Sequence, residues 1–441
     1  MTGSTPTVAG IRRATPLTRQ QIVGFWAAWF GWMLDGMDSV IYALVLAPAL
    51  TELLPRSGYA ATPANIGFTG SILFALFLVG WGLSFIWGPI ADRFGRTKAL
   101  AATIIVYSVF TGASALAGNI WELAIFRLLA GIGVGGEWAM AGTYVAEAWP
   151  EDRRKMGAGY LQTGYYAGFF VAAVLNYFIG AHWGWRAMFL CGFVPVLVAL
   201  ATLRHVHEPE KWQDRAEKSN SESTPTPRES AGPFRMLFSP GFRRRTLVNA
   251  ALLTVAIIGL WAGSVYEPTA VITLAKKAGM AQPEAARWAS YATGLLSIGT
   301  ILGCICAVPI AERLGRKMAL AIYFLGMMAT ILAAFGWAFY QENGLTPFIA
   351  VLFFLGFFGG NFAIFTLALP EQYPTGMRAT AFAFCTSIGR FIGAIVNFAL
   401  AAAVKDMGTL GTPVALTAIA FAIGLIIIPF AVETRGQSLP E

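Results

Sequence analysis

A few ionisable residues stand deep inside long apolar stretches, where a charge is expensive and survives only with a partner or a role. Asp35 and Asp38 are three residues apart, so on a helix they share one face, which must point to a cavity or a partner. A carboxylate taken out of water is costly as an anion, so such a pair can bind and release a proton as access to it alternates. The structural alternative is a pair bonded to backbone freed near Gly31 and Gly36. Arg127 and Glu137 share a later stretch that runs in the opposite direction. At a rise of ~1.5 Å per residue, Asp38 comes level with Arg127 and Asp35 with Glu137. The expectation is an Asp38–Arg127 ion pair, with Asp35 and Glu137 as candidates for protonation; a purely structural network is the rival. Arg390 is the one basic residue deep in the second half of the chain. It needs either a ligand anion such as a carboxylate, or a protein acid such as Glu267. Gln162, Tyr165, Tyr166, Asn361 and Asn397 are further polar residues able to line the same space.

The elements that position these residues must be membrane helices. Hydrophobic residues make up 56% of the 441-residue chain, charged residues only 12%, and the mean hydropathy is +0.62; a soluble protein carries about twice that charged fraction. A bilayer core of ~30 Å takes about 20 apolar residues per helix. Twelve stretches qualify: 22–50, 65–91, 97–117, 120–146, 156–180, 186–204, 246–274, 286–311, 317–340, 346–369, 378–404 and 411–433. The first is too long for a signal-peptide core and has no small-residue cleavage pattern. Residues 1–21 and 434–441 read as polar tails. Residues 205–245, rich in Ser, Thr and Pro, read as a partly disordered linker between six-helix halves over 22–204 and 246–433. Of the 31 Lys and Arg residues, 23 fall in the two tails, the linker and the even-to-odd loops. That bias predicts two cytoplasmic termini and makes the +8 charge topological, leaving no basic face for nucleic acid.

The halves repeat. Gly88-Pro-Ile-Ala-Asp92-Arg93-Phe-Gly95-Arg96 recurs as Val308-Pro-Ile-Ala-Glu312-Arg313-Leu-Gly315-Arg316 at a shift of 220, and Gly135-Gly136-Glu137 with Glu147, Pro150 and Arg154 recurs as Gly359-Gly360-Asn361 with Glu371, Pro374 and Arg378 at 224. Two matches at nearly one offset mark a parallel duplication. Gly131, Gly133, Gly135 and Gly136 mimic a nucleotide loop, but no strand precedes them, and close helix packing is the better account. The four cysteines lie in apolar segments and read as buried thiols. His205, His207 and Glu208 lack further nearby ligands, so no metal or cofactor is expected.

The loop GPIADRFGRTK and its copy VPIAERLGRK resemble the signature loop of the major facilitator superfamily, and RLLAGIGVGGEW resembles its fourth-helix motif. The tail ETRGQSLPE is similar to the ending of the sugar-porter branch. LDGMD (Leu34 to Asp38), GGEWAMAGTYVAEAWPEDRR and WGWRAMF resemble the sialate and monocarboxylate proton symporters more narrowly, with Met37 in place of that family's Phe. The resemblance implies an all-α integral membrane protein: twelve transmembrane helices in two six-helix bundles related by pseudo-two-fold symmetry, monomeric, in the inner membrane. It implies proton-coupled symport of a small organic anion, such as a lactate-type monocarboxylate or a sialic-acid-like sugar acid. Sugar or other metabolite–proton symport is the alternative, suggested by the tail, and would not need Arg390. Drug–proton antiport fits less, because the fifth stretch lacks the exporters' Gly-Pro pattern. No catalytic constellation or nucleotide loop points to an enzyme or an ATP-driven pump.

Within that frame Asp92, Arg93, Gly95 and Arg96 form a tight turn after Gly88 whose charges can pair with each other and with helix ends. This predicts a latch that holds one alternating-access state, against the plainer reading of a positive stop signal. Glu312, Arg313, Gly315 and Arg316 form the second copy, expected to be weaker because Val308 replaces Gly88 and Glu312 replaces Asp92. Glu147, Arg153, Arg154, Glu371 and Arg378 are assigned to the same network. Asn361 in the place of Glu137 predicts that the first half handles protons and that substrate contacts are shared.

Overall fold

A computed structural model describes residues 15–221, 232–264 and 266–440. Most of the expected N-terminal tail (1–14) and the middle of the linker (222–231) lie outside the described residues. Twelve helical spans, α1–α12, follow the sequence expectation. The first six are α1 (Arg19–Arg56), α2 (Phe68–Phe94), α3 (Arg96–Leu116), α4 (Ile120–Ala148), α5 (Arg154–Leu175, continued by the π-turn Asn176–Gly180) and α6 (His182–His205). The second six are α7 (Arg243–Ser264 with Glu267–Lys277), α8 (Gln282–Leu314), α9 (Arg316–Tyr340), α10 (Leu345–Gln372), α11 (Arg378–Met407) and α12 (Gly411–Phe430). Among the described residues nine of these are long and apolar enough to cross a membrane in one piece, and bent α1 is a tenth. Large apolar side chains such as Phe68, Leu116, Trp121, Ile395 and Ile426 stand exposed on the outside, as lipid contact requires.

Local chemistry sets the ends and bends. Thr18 caps α1 in a reciprocal capping box with Gln21, and Asn119 accepts from the N–H groups of Trp121 and Glu122 at the start of α4. Pro48 lacks an N–H and its ring crowds the preceding turn, so α1 bends by 61° there. A single residue joins α2 to α3 and another joins α8 to α9. These are Gly95 at φ +116° and Gly315 at φ +93°, conformations that a side chain would strain.

The packing repeats as the sequence does. α1 packs on α5 and α2 on α4; in the second half α7 packs on α11 and α8 on α10. The halves meet through α2 against α11 and α5 against α8, contacts that exchange under a two-fold relation of the two halves. Lipid supplies little hydrophobic drive between helices, so close backbone approach matters. A Cβ on Gly80 or Gly131 would strike backbone across the α2–α4 seam, and one on Gly299 or Gly356 would do the same across α8–α10. The Gly131–Gly136 run is thus a packing surface. The described parts of the linker contain a helix at Glu210–Ser221 and a turn of helix at Pro233–Met236.

Candidate transport pathway

Between the halves lies a cavity of about 30 Å³, lined by Trp32, Trp81, Trp138, Gln162, Tyr165, Tyr166, Ile257, Phe362 and Arg390. That is room for one or two waters, so the pathway is nearly shut at its centre. Aromatic rings do the closing: Trp32 stacks on Tyr165 at 4.7 Å between centroids and on Trp138 at 6.1 Å, and Phe362 meets Trp138 edge-on. A hydrogen-bonded chain crosses the seam, from Trp138 Nε1 to Thr366 Oγ1 (2.9 Å) and from there to Gln162 Oε1 (3.3 Å). The Arg390 guanidinium sits over the Trp81 ring at 4.4 Å and near Trp138 at 5.9 Å, and its buried Nη1 has no hydrogen-bond partner among the described residues. Arg390 does not meet Glu267, which accepts instead from Thr293 Oγ1 at 2.9 Å.

Of the polar residues expected beside Arg390, Gln162, Tyr165 and Tyr166 line this cavity; Asn361 and Asn397 do not. Asn361 donates to its own helix at Phe358 O, where α10 breaks, and Asn397 accepts from Tyr266 OH at 3.3 Å. The three tryptophans were not singled out from sequence. Ten of the fourteen tryptophans lie in the apolar segments, and they carry no periodic mark that separates cavity walls from lipid contacts.

The acids of the first half are gathered beside the cavity. Asp35, Asp38, Arg127 and Glu137 are all fully or almost fully buried. Arg127 Nη1 lies 3.8 Å from Asp38 Oδ1, too long for a hydrogen bond, and its guanidinium is clasped by the rings of Tyr42 (4.3 Å) and Phe77 (4.5 Å). Glu137 Oε2 accepts from Thr103 Oγ1 at 3.0 Å, while Glu137 Oε1 and both oxygens of Asp35 have no partner among the described residues. Asp35 lies one helical turn from Trp32, within Coulombic reach of Glu137, Asp38 and Arg390.

At the end that carries the repeated loops the halves are bolted together. Asp92 Oδ1 is 2.8 Å from Arg96 Nη1, and its Oδ2 accepts from Thr380 N (2.9 Å) and Thr380 Oγ1 (2.5 Å) at the start of α11. A Cβ on Gly88 would collide with Thr380, which explains the glycine. Glu147 lies between Arg96 of its own half, with two bonds of 3.0 Å, and Arg378 of the other at 2.5 Å. Glu371 mirrors it, between Arg316 (2.9 and 3.0 Å) and Arg154 of the other half (3.1 Å). The second loop differs as its sequence does: Glu312 is one-third exposed and reaches Lys155 Nζ (2.7 Å) and Arg316 (2.5 Å) rather than capping α5. Arg93 and Arg313 are exposed; Arg93 lies over Phe94, and among the described residues neither bonds to this network, a correction to their assignment as latch residues.

Sequence reading missed a second tier. Glu208 accepts from the backbone N–H groups of Arg96 and Thr97 beside Gly95, and Glu433 does the same for Arg316 and Lys317 beside Gly315. The two carboxylates stand 225 residues apart, close to the repeat offset, and that spacing was the available signal. Glu208 is therefore a helix cap, and among the described residues no three His, Cys, Asp or Glu side chains form a metal site.

The model of the Major Facilitator Superfamily matches residues 24–397. The chain belongs to that superfamily. It is a multi-pass membrane transporter and not an enzyme. The niacin transporter NiaP of Acinetobacter baylyi is 28% identical to it over 447 residues, covering 96% of this chain and 97% of that protein. The sialic acid transporter NanX of Escherichia coli is 30% identical over 195 residues, 44% of this chain and 46% of that protein. Among solved structures, the proton:xylose symporter XylE bound to 6-bromo-6-deoxy-D-glucose superposes with a TM-score of 0.79 at 20% identity, covering 95% of this chain and 98% of that one. That likeness carries the fold: twelve helices in two bundles.

Proposed function

We propose that this major facilitator transporter is a proton-coupled symporter that imports a small organic anion across the inner membrane, with both termini in the cytoplasm. The observation that carries the reading is Arg390, a buried guanidinium with an unpartnered Nη1 in an aromatic cavity between the halves. A carboxylate or flat carboxylated ring would give it a charge-assisted bond while stacking on tryptophan. Niacin and sialic acid, the cargoes named for two relatives, both carry one carboxylate. Asp35, within Coulombic reach of Arg390, and Glu137, both buried with free oxygens, are the proton carriers in this reading, and the Asp38–Arg127 pair holds them in place. The positive-inside bias puts the bolted loop end in the cytoplasm, so the cavity would open first to the outside. The bonds of Asp92, Arg96, Glu147, Arg154, Glu371 and Arg378 would then act as the inner gate.

Proton symport of a neutral sugar is the second reading, favoured by the aromatic walls and by the fold shared with a xylose symporter. Reconstituted uptake separates the two. Nicotinate, lactate, pyruvate, sialic acid and xylose are offered under an imposed pH gradient, inside neutral and outside acidic. Accumulation of a carboxylate that collapses with the gradient supports anion symport. Uptake of the sugar alone, or of any cargo without regard to the gradient, would overturn it.

A further inference from the structure

The second half holds one buried acid that the gate and the cavity leave unused. Glu267 begins the second segment of α7, Glu267–Lys277, at the end of the bundle away from the repeated loops, and it is 1% exposed. Its Oε2 accepts from Thr293 Oγ1 on α8 at 2.9 Å; its Oε1 is buried with no partner among the described residues. Among the described residues the surrounding elements offer it no cation. On α8, Glu284, Arg287 and Tyr291 are exposed and form no ion pair with it. On α11, Arg390 lies against Trp81, and Asp406 is exposed. The one acid of α10, Glu371, belongs to the bolted loop end. On α7 itself, Tyr266 donates to Asn397, and Lys276 and Lys277 are exposed at the far end of the segment.

An ionised carboxylate held in this position would leave Oε1 uncompensated away from water, whereas a neutral carboxyl would not. The N-terminus of a helix favours an anion, but only modestly against that cost. The packed arrangement of the segment on α8 therefore goes with a proton on Glu267, and loss of the proton creates a charge that only water can satisfy. The water lies beyond this end of α7.

We propose that Glu267 is a second proton-binding site, in the second half of the molecule, whose proton keeps the α7 segment Glu267–Lys277 packed and whose loss lets that segment open. The site is separate from the proton role assigned above to Asp35 and Glu137, and its structural part stands without it. Thr293 positions the carboxyl, and Asn397 holds the preceding Tyr266, so the segment and its acid are tied to both α8 and α11.

Backbone amide exchange on the full chain in lipid nanodiscs, without substrate, tests it. Exchange times are scaled for the intrinsic effect of pH, and residues 267–277 are followed from pH 5 to pH 9 in the wild type, Glu267→Gln and Thr293→Val. Glu267→Gln keeps the shape of the neutral acid, so its segment should stay protected across the range, while the wild-type segment should lose protection at least tenfold as pH rises. Thr293→Val should move the wild-type transition along the pH axis without abolishing it. An equal pH response in the wild type and Glu267→Gln, or no response in the wild type, would overturn the site. Because no transport is measured, these outcomes are independent of whether the cargo is an anion or whether its uptake is proton-coupled.

Discussion

Arg127 and Arg390 are both guanidiniums deep in apolar helices, and their surroundings assign them different work. Arg127 has no hydrogen bond from Nε, Nη1 or Nη2 among the described residues either, but it is enclosed by Tyr42 and Phe77 with the Asp38 carboxylate 3.8 Å away, so its counter-charge lies inside its own half. Arg390 has rings above it and an unpartnered nitrogen at the cavity. Replacing Arg390 by Ala should weaken carboxylate binding about ten- to a hundredfold, the range of a lost charge-assisted hydrogen bond. Lys at 390 should recover only part, since it keeps the charge but loses the planar stacking. Equilibrium binding to the detergent-solubilised protein reads both, and unchanged affinity in Arg390→Ala would remove the assigned anion site. Asp38→Asn tests the other arginine. It leaves a buried cation without its counter-charge, a cost of about 3–5 kcal/mol, and should lower the melting temperature sharply. Adding Arg127→Met should restore much of the loss, because the orphaned charge goes too. Residues of this kind were legible in the sequence: a charge in an apolar run announces itself. Asn361 and Asn397 lie off the cavity because an amide can bond its own helix, as Asn361 Nδ2 does while its Oδ1 stays unpartnered among the described residues, or a neighbour, and side-chain direction is invisible in a string of letters.

At the scale of elements, the repeated loops were legible as a pair and their fasteners were not. Gly95 and Gly315 stand out by their place in the repeat, and both adopt backbone that strains other residues. Gly95→Ala should therefore cost about 1–3 kcal/mol; the added Cβ would also press on the Glu208 carboxylate. A thermal shift of several degrees, absent for Ala at exposed Gly241, is the measurement. The fasteners escaped notice because Glu208 and Glu433 lie in segments that read as linker and tail, where an acid looks like ordinary solvent-facing charge. The tail is more than a trailing end. Glu433 caps α9, Thr434 Oγ1 donates to Glu371, Leu439 N donates to Glu151 Oε1 at 3.0 Å, and Arg378 Nη2 donates to Pro440 O at 2.7 Å. Burial works to raise the Glu433 carboxyl, but the N–H groups of Arg316, Lys317 and Arg435 outweigh it and hold it below the usual carboxylate range. At Glu151, burial is likewise outweighed, by Leu439 N–H and Arg154. Groups held low in the folded state contribute stability that is full above their unfolded values and fades as pH falls through the folded ones. The tail should thus stay seated at neutral pH and detach below about pH 4. Limited proteolysis of residues 433–440 with pepsin against pH would show the release, and a tail equally protected at pH 3 would contradict it.

For the whole molecule, the duplication produces two interlocked triads, and their symmetry predicts how the proposed gate would fail. Glu147 joins Arg96 to Arg378 across the seam, and Glu371 joins Arg316 to Arg154 across it in the opposite sense. The triads share no residue yet hold one rigid-body interface, so their free energies should add while the populations they control should not. Removing one buried carboxylate leaves two guanidiniums facing each other, a loss of about 3–5 kcal/mol that falls on the closed arrangement of the loop end. A shift of that size changes the closed-to-open ratio by more than a hundredfold. Arg93 and Arg313 are exposed and have no bond to either triad, so they are suitable label positions, with Cys191 and Cys306 replaced by serine to leave only buried native thiols. Spin labels there should give a single short distance in the parent protein, a mixture in Glu147→Gln or Glu371→Gln, and a long distance alone in the double variant. Asp92→Asn should act with Glu147→Gln rather than with Glu371→Gln, since Asp92 cross-links α2 to α11 beside the first triad. A single variant that opens the loop end completely while the other leaves it shut would mean that the gate is not shared between the halves, and that the repeat of sequence is not a repeat of task.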